Sequence, residues 1–77
     1  MPTVLRIGAY RFQFFMADAG EPPHVHVFGP NGVCKFWLTE VRLAEPSRLR
    51  AQEERDIARL VRENQDYLLR SWNVRFK

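Results

Sequence analysis

The sequence predicts an α+β fold: a small antiparallel sheet of three to four strands, then one long C-terminal helix packed on one face of it. Three observations predict this. Runs rich in β-branched and aromatic residues fill the first half of the chain, punctuated by glycine and proline. Asn31-Gly32 falls between two of those runs, and Asn-Gly is the strongest short-range hairpin signal. Beyond residue 47 the apolar residues recur at helical spacing instead. The 77 residues are read as a single domain over 1–77.

Thr3 to Ile7 (TVLRI) reads as a first strand opened by Pro2, with Gly8 as a natural bend. Tyr10 to Asp18 alternates and reads as a second. Tyr10, Phe12, Phe14 and Met16 share one face; Arg11, Gln13, Phe15 and Ala17 share the other. Asp18 to Pro23 (DAGEPP) is a loop by composition. His24 to Phe28 (HVHVF) and Val33 to Leu38 (VCKFWL) are the third and fourth strands.

With Asn31 and Gly32 as the loop residues, Phe28 pairs with Lys35, Val27 with Phe36 and His26 with Trp37. One face then carries Val25, Val27, Cys34, Phe36 and Leu38. The other carries His24, His26, Phe28, Lys35 and Trp37. A slip of one residue would exchange the two faces.

Thr39 to Pro46 is a connector with one further extended turn at Val41 to Leu43. Ser47 is the candidate N-cap, and Glu53, Glu54 and Asp56 suit the positive end of the helix that follows. Ile57, Leu60, Val61, Leu68 and Trp72 mark its apolar stripe, over about residues 48 to 73. The helix is expected on the Val25, Val27, Phe36, Leu38 face, with Phe12, Phe14 and Met16 joining the core. That leaves an aromatic and basic face on the far side. Such a face marks a partner or ligand site, and a homodimer stacking two sheets is the simplest way to cover it.

Composition narrows the function classes. A lone cysteine, Cys34, excludes an internal disulfide and any cysteine-based metal finger. Cys34 is expected to be buried and inert. No apolar run approaches the roughly 18 residues of a membrane span, and no export signal is evident, so the expected location is cytoplasmic with no membrane partner. The net charge is +3, and the basic residues are nearly all arginine, which suits phosphates and carboxylates.

His24 and His26 at i, i+2 on a strand point the same way and are the candidate catalytic pair. Imidazoles at this spacing place an acid beside a base; they also begin a metal site, which would need further ligands. Arg11, Lys35 and Trp37 are candidate binding residues on that face, because bases stack on rings and cations meet phosphates. Arg55, Arg59 and Arg62 form a basic stripe at i, i+4, i+7, suited to an acidic partner or an RNA backbone. Asn64 interrupts the apolar stripe and must find hydrogen-bond partners, from strand or loop backbone or from the histidines. No cofactor is called for.

The residues also carry a resemblance. MPTVLRIGAYRF, EPPHVHV, KFWL, VRLA and the helical LVRENQDYLLRSWN resemble the small bacterial domain-of-unknown-function family numbered 4160, over almost the whole chain. The PHVHV and KFWL blocks followed by the ENQ…L…W helix are specific together. The motif positions are His24, His26, Lys35, Phe36, Trp37, Leu38, Asn64 and Trp72. Gly29-Pro30-Asn31-Gly32 departs from the variable, charged loop the family leads one to expect. The resemblance implies a gene arrangement like a type II toxin–antitoxin pair, with this chain as the toxin-like member and a cognate antitoxin-like partner. The first reading of its activity is a metal-independent ribonuclease: His24 or His26 as general acid/base, and Lys35 or an arginine on the phosphorane. The rivals are a non-enzymatic interaction or dimerisation module using the His/Trp face, and a metal site on the two histidines.

Overall fold

The computed structural model describes residues 3–76. Five strands form one antiparallel meander in the order β1 (Thr3–Ile7), β2 (Tyr10–Gln13), β3 (His24–Gly29), β4 (Gly32–Trp37) and β5 (Arg42–Leu43). Two helices follow, α1 (Ala51–Glu63) and α2 (Gln65–Arg75). The α+β class with an antiparallel sheet is as the sequence predicts. The sheet has one strand more, because the extended turn expected near Val41 pairs with β4. The helix is two helices rather than one.

The β1–β2 turn places Gly8 at φ +56°, the positive value that a two-residue hairpin turn needs at its first central position. The β3–β4 turn corrects the sequence reading. Gly29 pairs with Gly32, so the loop residues are Pro30 and Asn31 rather than Asn31 and Gly32. Proline fixes φ near −65°, which suits the first central position of a type I turn, with glycine favoured at the last. The register moves by two residues: Val27 faces Cys34, His26 faces Lys35 and His24 faces Trp37. A shift of two preserves side-chain parity, so both faces keep the predicted membership.

The helices cover the expected face. Phe12, Phe14, Val25, Val27, Cys34, Phe36 and Leu38 are buried against Ile57, Val61, Leu68 and Trp72. Each large apolar side chain removed from water here is worth about 1.5–3 kcal/mol. Met16 does not join them and is 72% exposed. The strand reading of 10–18 fails after Gln13, because Met16–Gly20 winds into a 3-10 turn. Its lock is reciprocal. The Asp18 N–H donates to the Phe15 carbonyl at 3.0 Å, and the Phe15 N–H donates to Asp18 Oδ2 at 2.8 Å.

α1 begins at Ala51, within a few residues of the expected start, and its N-cap is Arg50 rather than Ser47. The Ser47 hydroxyl accepts from the Leu49 N–H and donates to Glu54, which shapes the run-in to the helix. Asn64 is the break between the helices (φ −114°, ψ 18°). Its side-chain amide donates to the Leu60 carbonyl at 2.8 Å, inside its own helix. The neighbouring Gln65 pins α2 to the sheet instead, donating to the carbonyls of Leu38 and Thr39 at 2.7 and 3.1 Å. Two phenols tie the layers together: Tyr10 donates to Glu53 (2.9 Å) and Tyr67 to the Val4 carbonyl (2.9 Å).

Candidate functional site: the Asp18–His24–His26 cluster

β3 points His24 and His26 to the same side of the sheet, two residues apart. The 3-10 turn then folds Asp18 onto that side, and the three side chains converge. Asp18 Oδ1 lies 3.0 Å from His24 Nε2, and both Asp18 oxygens lie 3.4 Å from His26 Nε2. The ligand-type atoms of all three are within 4.8 Å of one another.

The two imidazoles are not equivalent. The His24 side chain is fully buried, packed against the rings of Trp72 (5.2 Å), Trp37 (5.7 Å) and His26 (5.2 Å). The His26 side chain is 20% exposed, under the Phe15 ring at 4.5 Å. His24 Nδ1 is 2.9 Å from the Pro22 carbonyl. A carbonyl oxygen only accepts, so Nδ1 carries the hydrogen there. Nε2 then faces Asp18 at contact distance but off the line of a hydrogen bond, and it is the buried side-chain atom without a hydrogen-bond partner among the described residues.

Electrostatics follow from this packing. Burial pushes the Asp18 carboxyl up, but the Phe15 N–H and the two imidazoles outweigh it and hold it below its ordinary value. Burial holds the His26 imidazole below its ordinary value, with Asp18 pulling the other way. A hydrogen bond from Lys35 (2.7 Å) holds the exposed Glu21 carboxyl down.

The other candidate residues distribute unevenly. Lys35 and Trp37 are half-buried on the same face, with the ammonium 5.1 Å from the Trp37 ring centre. The exposed Arg11 lies 5.5 Å from the centre of the Phe28 ring. Phe15 also packs on Phe28 (6.2 Å), so the chain covers part of the aromatic face with its own residues. Arg55, Arg59 and Arg62 are exposed on α1, away from the buried Ile57 and Val61. Asn64 bonds Leu60 rather than the histidines and forms no part of the cluster. Cys34 is buried in the core, and burial pushes its thiol to about 12.

The domain-of-unknown-function model DUF4160 matches residues 9–73. The chain belongs to the DUF4160 family. In this DUF4160 protein the match takes in the cluster, all of α1 and α2 as far as Asn73. Comparison with curated proteins and with solved structures returns no match.

Asp18 is the residue that sequence reasoning missed. The available signal was a carboxylate in the loop just before the histidine strand, and two qualified. Glu21 is the nearer in sequence, but it turns to Lys35. The exposed apolar side chains were also expected elsewhere. Met16, Tyr67 and Val74 line an open groove with Val4 and Arg70, between β1 and α2 rather than on the His/Trp face.

Proposed function

We propose that this protein is the toxin-like member of a type II toxin–antitoxin pair, and that it acts on RNA from the β3–β4 face. The observation that carries the reading is the convergence of Asp18 and His26 beside Lys35 and Trp37 on one face. The arrangement offers an imidazole edge and a carboxylate to a phosphodiester, a cation to its phosphate and an indole to a base. The two histidines take different roles. His26 has exposed surface and meets the substrate. His24 is fully buried and holds Asp18 and the strand end from beneath. A free acid–base pair needs both imidazoles at the substrate, so the reactive unit is His26 with Asp18.

A second reading concerns the partner. The groove of Val4, Met16, Tyr67 and Val74, with Arg70 on its wall, suits an amphipathic acidic segment of a cognate antitoxin-like protein. It takes the place of the His/Trp face as the docking surface.

The test is induction in a bacterial host from a tightly repressed promoter. Wild type is expected to arrest growth and to fragment cellular RNA, and His26→Ala to do neither. Undisturbed growth with intact RNA after wild-type induction overturns the reading.

A further inference from the structure

We infer that Asp18, His24 and His26 form a mononuclear binding site for a divalent first-row transition metal ion, zinc being the probe of choice. The site shares Asp18 and His26 with the reactive unit of the functional reading, but the inference does not rest on that reading.

Three observations carry it. The first is the donor set. Two imidazole nitrogens and one carboxylate, all within 4.8 Å of one another, are the ligand types and number of a metal site with an open position. Metal–nitrogen and metal–oxygen bonds of about 2.0–2.1 Å at tetrahedral angles separate ligand atoms by about 3.3 Å. Asp18 stands 3.0 Å from His24 and 3.4 Å from His26. Two of the three separations already stand near the spacing of a coordination shell, and the third lies within 4.8 Å.

The second is the tautomer of His24. Its Nδ1 donates to the Pro22 carbonyl at 2.9 Å, the outer-shell bond that metal-ligating histidines make. This leaves Nε2 as the ligating nitrogen. Fully buried and without a hydrogen bond, Nε2 stands 3.0 Å from a carboxylate oxygen. The close approach of nitrogen and oxygen has no hydrogen bond to account for it. A cation bound by both satisfies the nitrogen and the oxygen together.

The third is the support behind the ligands. Asp18 Oδ2 accepts the Phe15 N–H at 2.8 Å, so the carboxylate is held in orientation. Trp72 and Trp37 pack the His24 ring. Two carboxylates, Asp18 and Glu21, stand against one ammonium, Lys35, so the immediate surroundings favour added positive charge. Asp18 and His26 retain side-chain exposures of 10% and 20%, which gives an ion an entry and leaves its open position to water or an incoming oxygen ligand.

The experiment titrates zinc into the chelator-stripped full chain by calorimetry, with cobalt as a spectroscopic probe. One equivalent is expected to bind, and cobalt to give the visible absorption of a low-coordinate nitrogen and oxygen site. His26→Gln and Asp18→Asn are each expected to weaken binding by more than about 100-fold, beyond the 10–100-fold that loss of an outer-shell group costs. Cys34→Ser is expected to bind as wild type. Circular dichroism checks that each variant folds. Should His26→Gln or Asp18→Asn fail to fold, nitrogen-15 spectra of the wild-type rings decide. Nε2 of both His24 and His26 should shift together at one equivalent of zinc. Absence of one-equivalent binding, unmoved ring nitrogens, or folded variants that bind as wild type overturns the inference. Loss of RNA activity with metal binding intact would overturn the functional reading alone.

Discussion

Asp18 Oδ1 stands 3.0 Å from the buried Nε2 of His24, off the line of a hydrogen bond, while Asp18 Oδ2 takes the Phe15 N–H. One carboxylate therefore closes the 3-10 turn and docks that turn onto β3. Asp18→Ala leaves the Phe15 N–H without its acceptor and removes the oxygen that His26 Nε2 meets at 3.4 Å. The expected loss is about 2–3 kcal/mol, since each buried group left unsatisfied costs about 1–3 kcal/mol. Asp18→Asn, which keeps an acceptor for Phe15, should lose less. Urea denaturation of the three proteins checks the order; equal midpoints would contradict it.

Gly29 lies under the ring of Tyr10. A Cβ built there meets the ring at 2.7 and 2.8 Å, and the ring is tethered by its bond to Glu53. Gly29→Ala is expected to destabilise the fold by about 1–3 kcal/mol through overpacking. Tyr10→Phe removes only the hydroxyl bond and should cost about 0.5–1.5 kcal/mol. Thermal melts of both variants make the comparison.

The Cys34 thiol stays protonated at working pH, because burial raises its pKa to about 12, with Glu54 and Glu53 adding to the shift. A thiol-specific reagent at pH 8 should label the native protein negligibly and the urea-unfolded protein fully. The sign of the linkage follows. A thiol whose folded pKa is raised adds stability that is complete below its unfolded pKa near 9 and is lost as pH climbs toward 12. Rapid labelling of the native state at pH 8 would show that Cys34 is not held in the core as described.

Asn64 belongs to the helix and not to the cluster. Asn64→Ala removes one side-chain bond to the Leu60 carbonyl and gains helix propensity. A stability change within about 1 kcal/mol is expected, with zinc binding and growth arrest unaltered. Gln65→Ala, which frees the Leu38 and Thr39 carbonyls, should cost more than Asn64→Ala. A specific loss of activity in Asn64→Ala would return that residue to the site.

What the sequence revealed, and what it hid, follows from the length scale of each signal. Side-chain parity along β3 and β4 is a local property with period two. It placed Val25, Val27, Phe36 and Leu38 in the core even though the turn was set one residue off and the register two. The turn was misread because Asn31-Gly32 outweighed Pro30, whose fixed φ decides the turn type. The pairing of His24 with His26 was legible for the same periodic reason. Asp18 was not. Its position depends on the chain leaving β2 at Gln13 and winding back over the sheet, and the alternation of Phe12, Phe14 and Met16 hides that departure. The division of labour between a buried His24 and a surface His26 depends on Trp72, 48 positions beyond His24, closing over the strand end.

The account rests centrally on the β3–β4 face as the surface that meets RNA. The most direct measurement is binding and cleavage of a labelled single-stranded RNA by the purified chain at two salt concentrations. Four proteins are compared: wild type, His26→Ala, Lys35→Ala, and the triple Arg55→Ala/Arg59→Ala/Arg62→Ala variant on the outer face of α1. The account predicts that His26→Ala abolishes cleavage and retains binding. Lys35→Ala should weaken binding and flatten its salt dependence, and the triple variant should match wild type. Loss of RNA binding in the triple variant, with His26→Ala and Lys35→Ala unchanged, would contradict it.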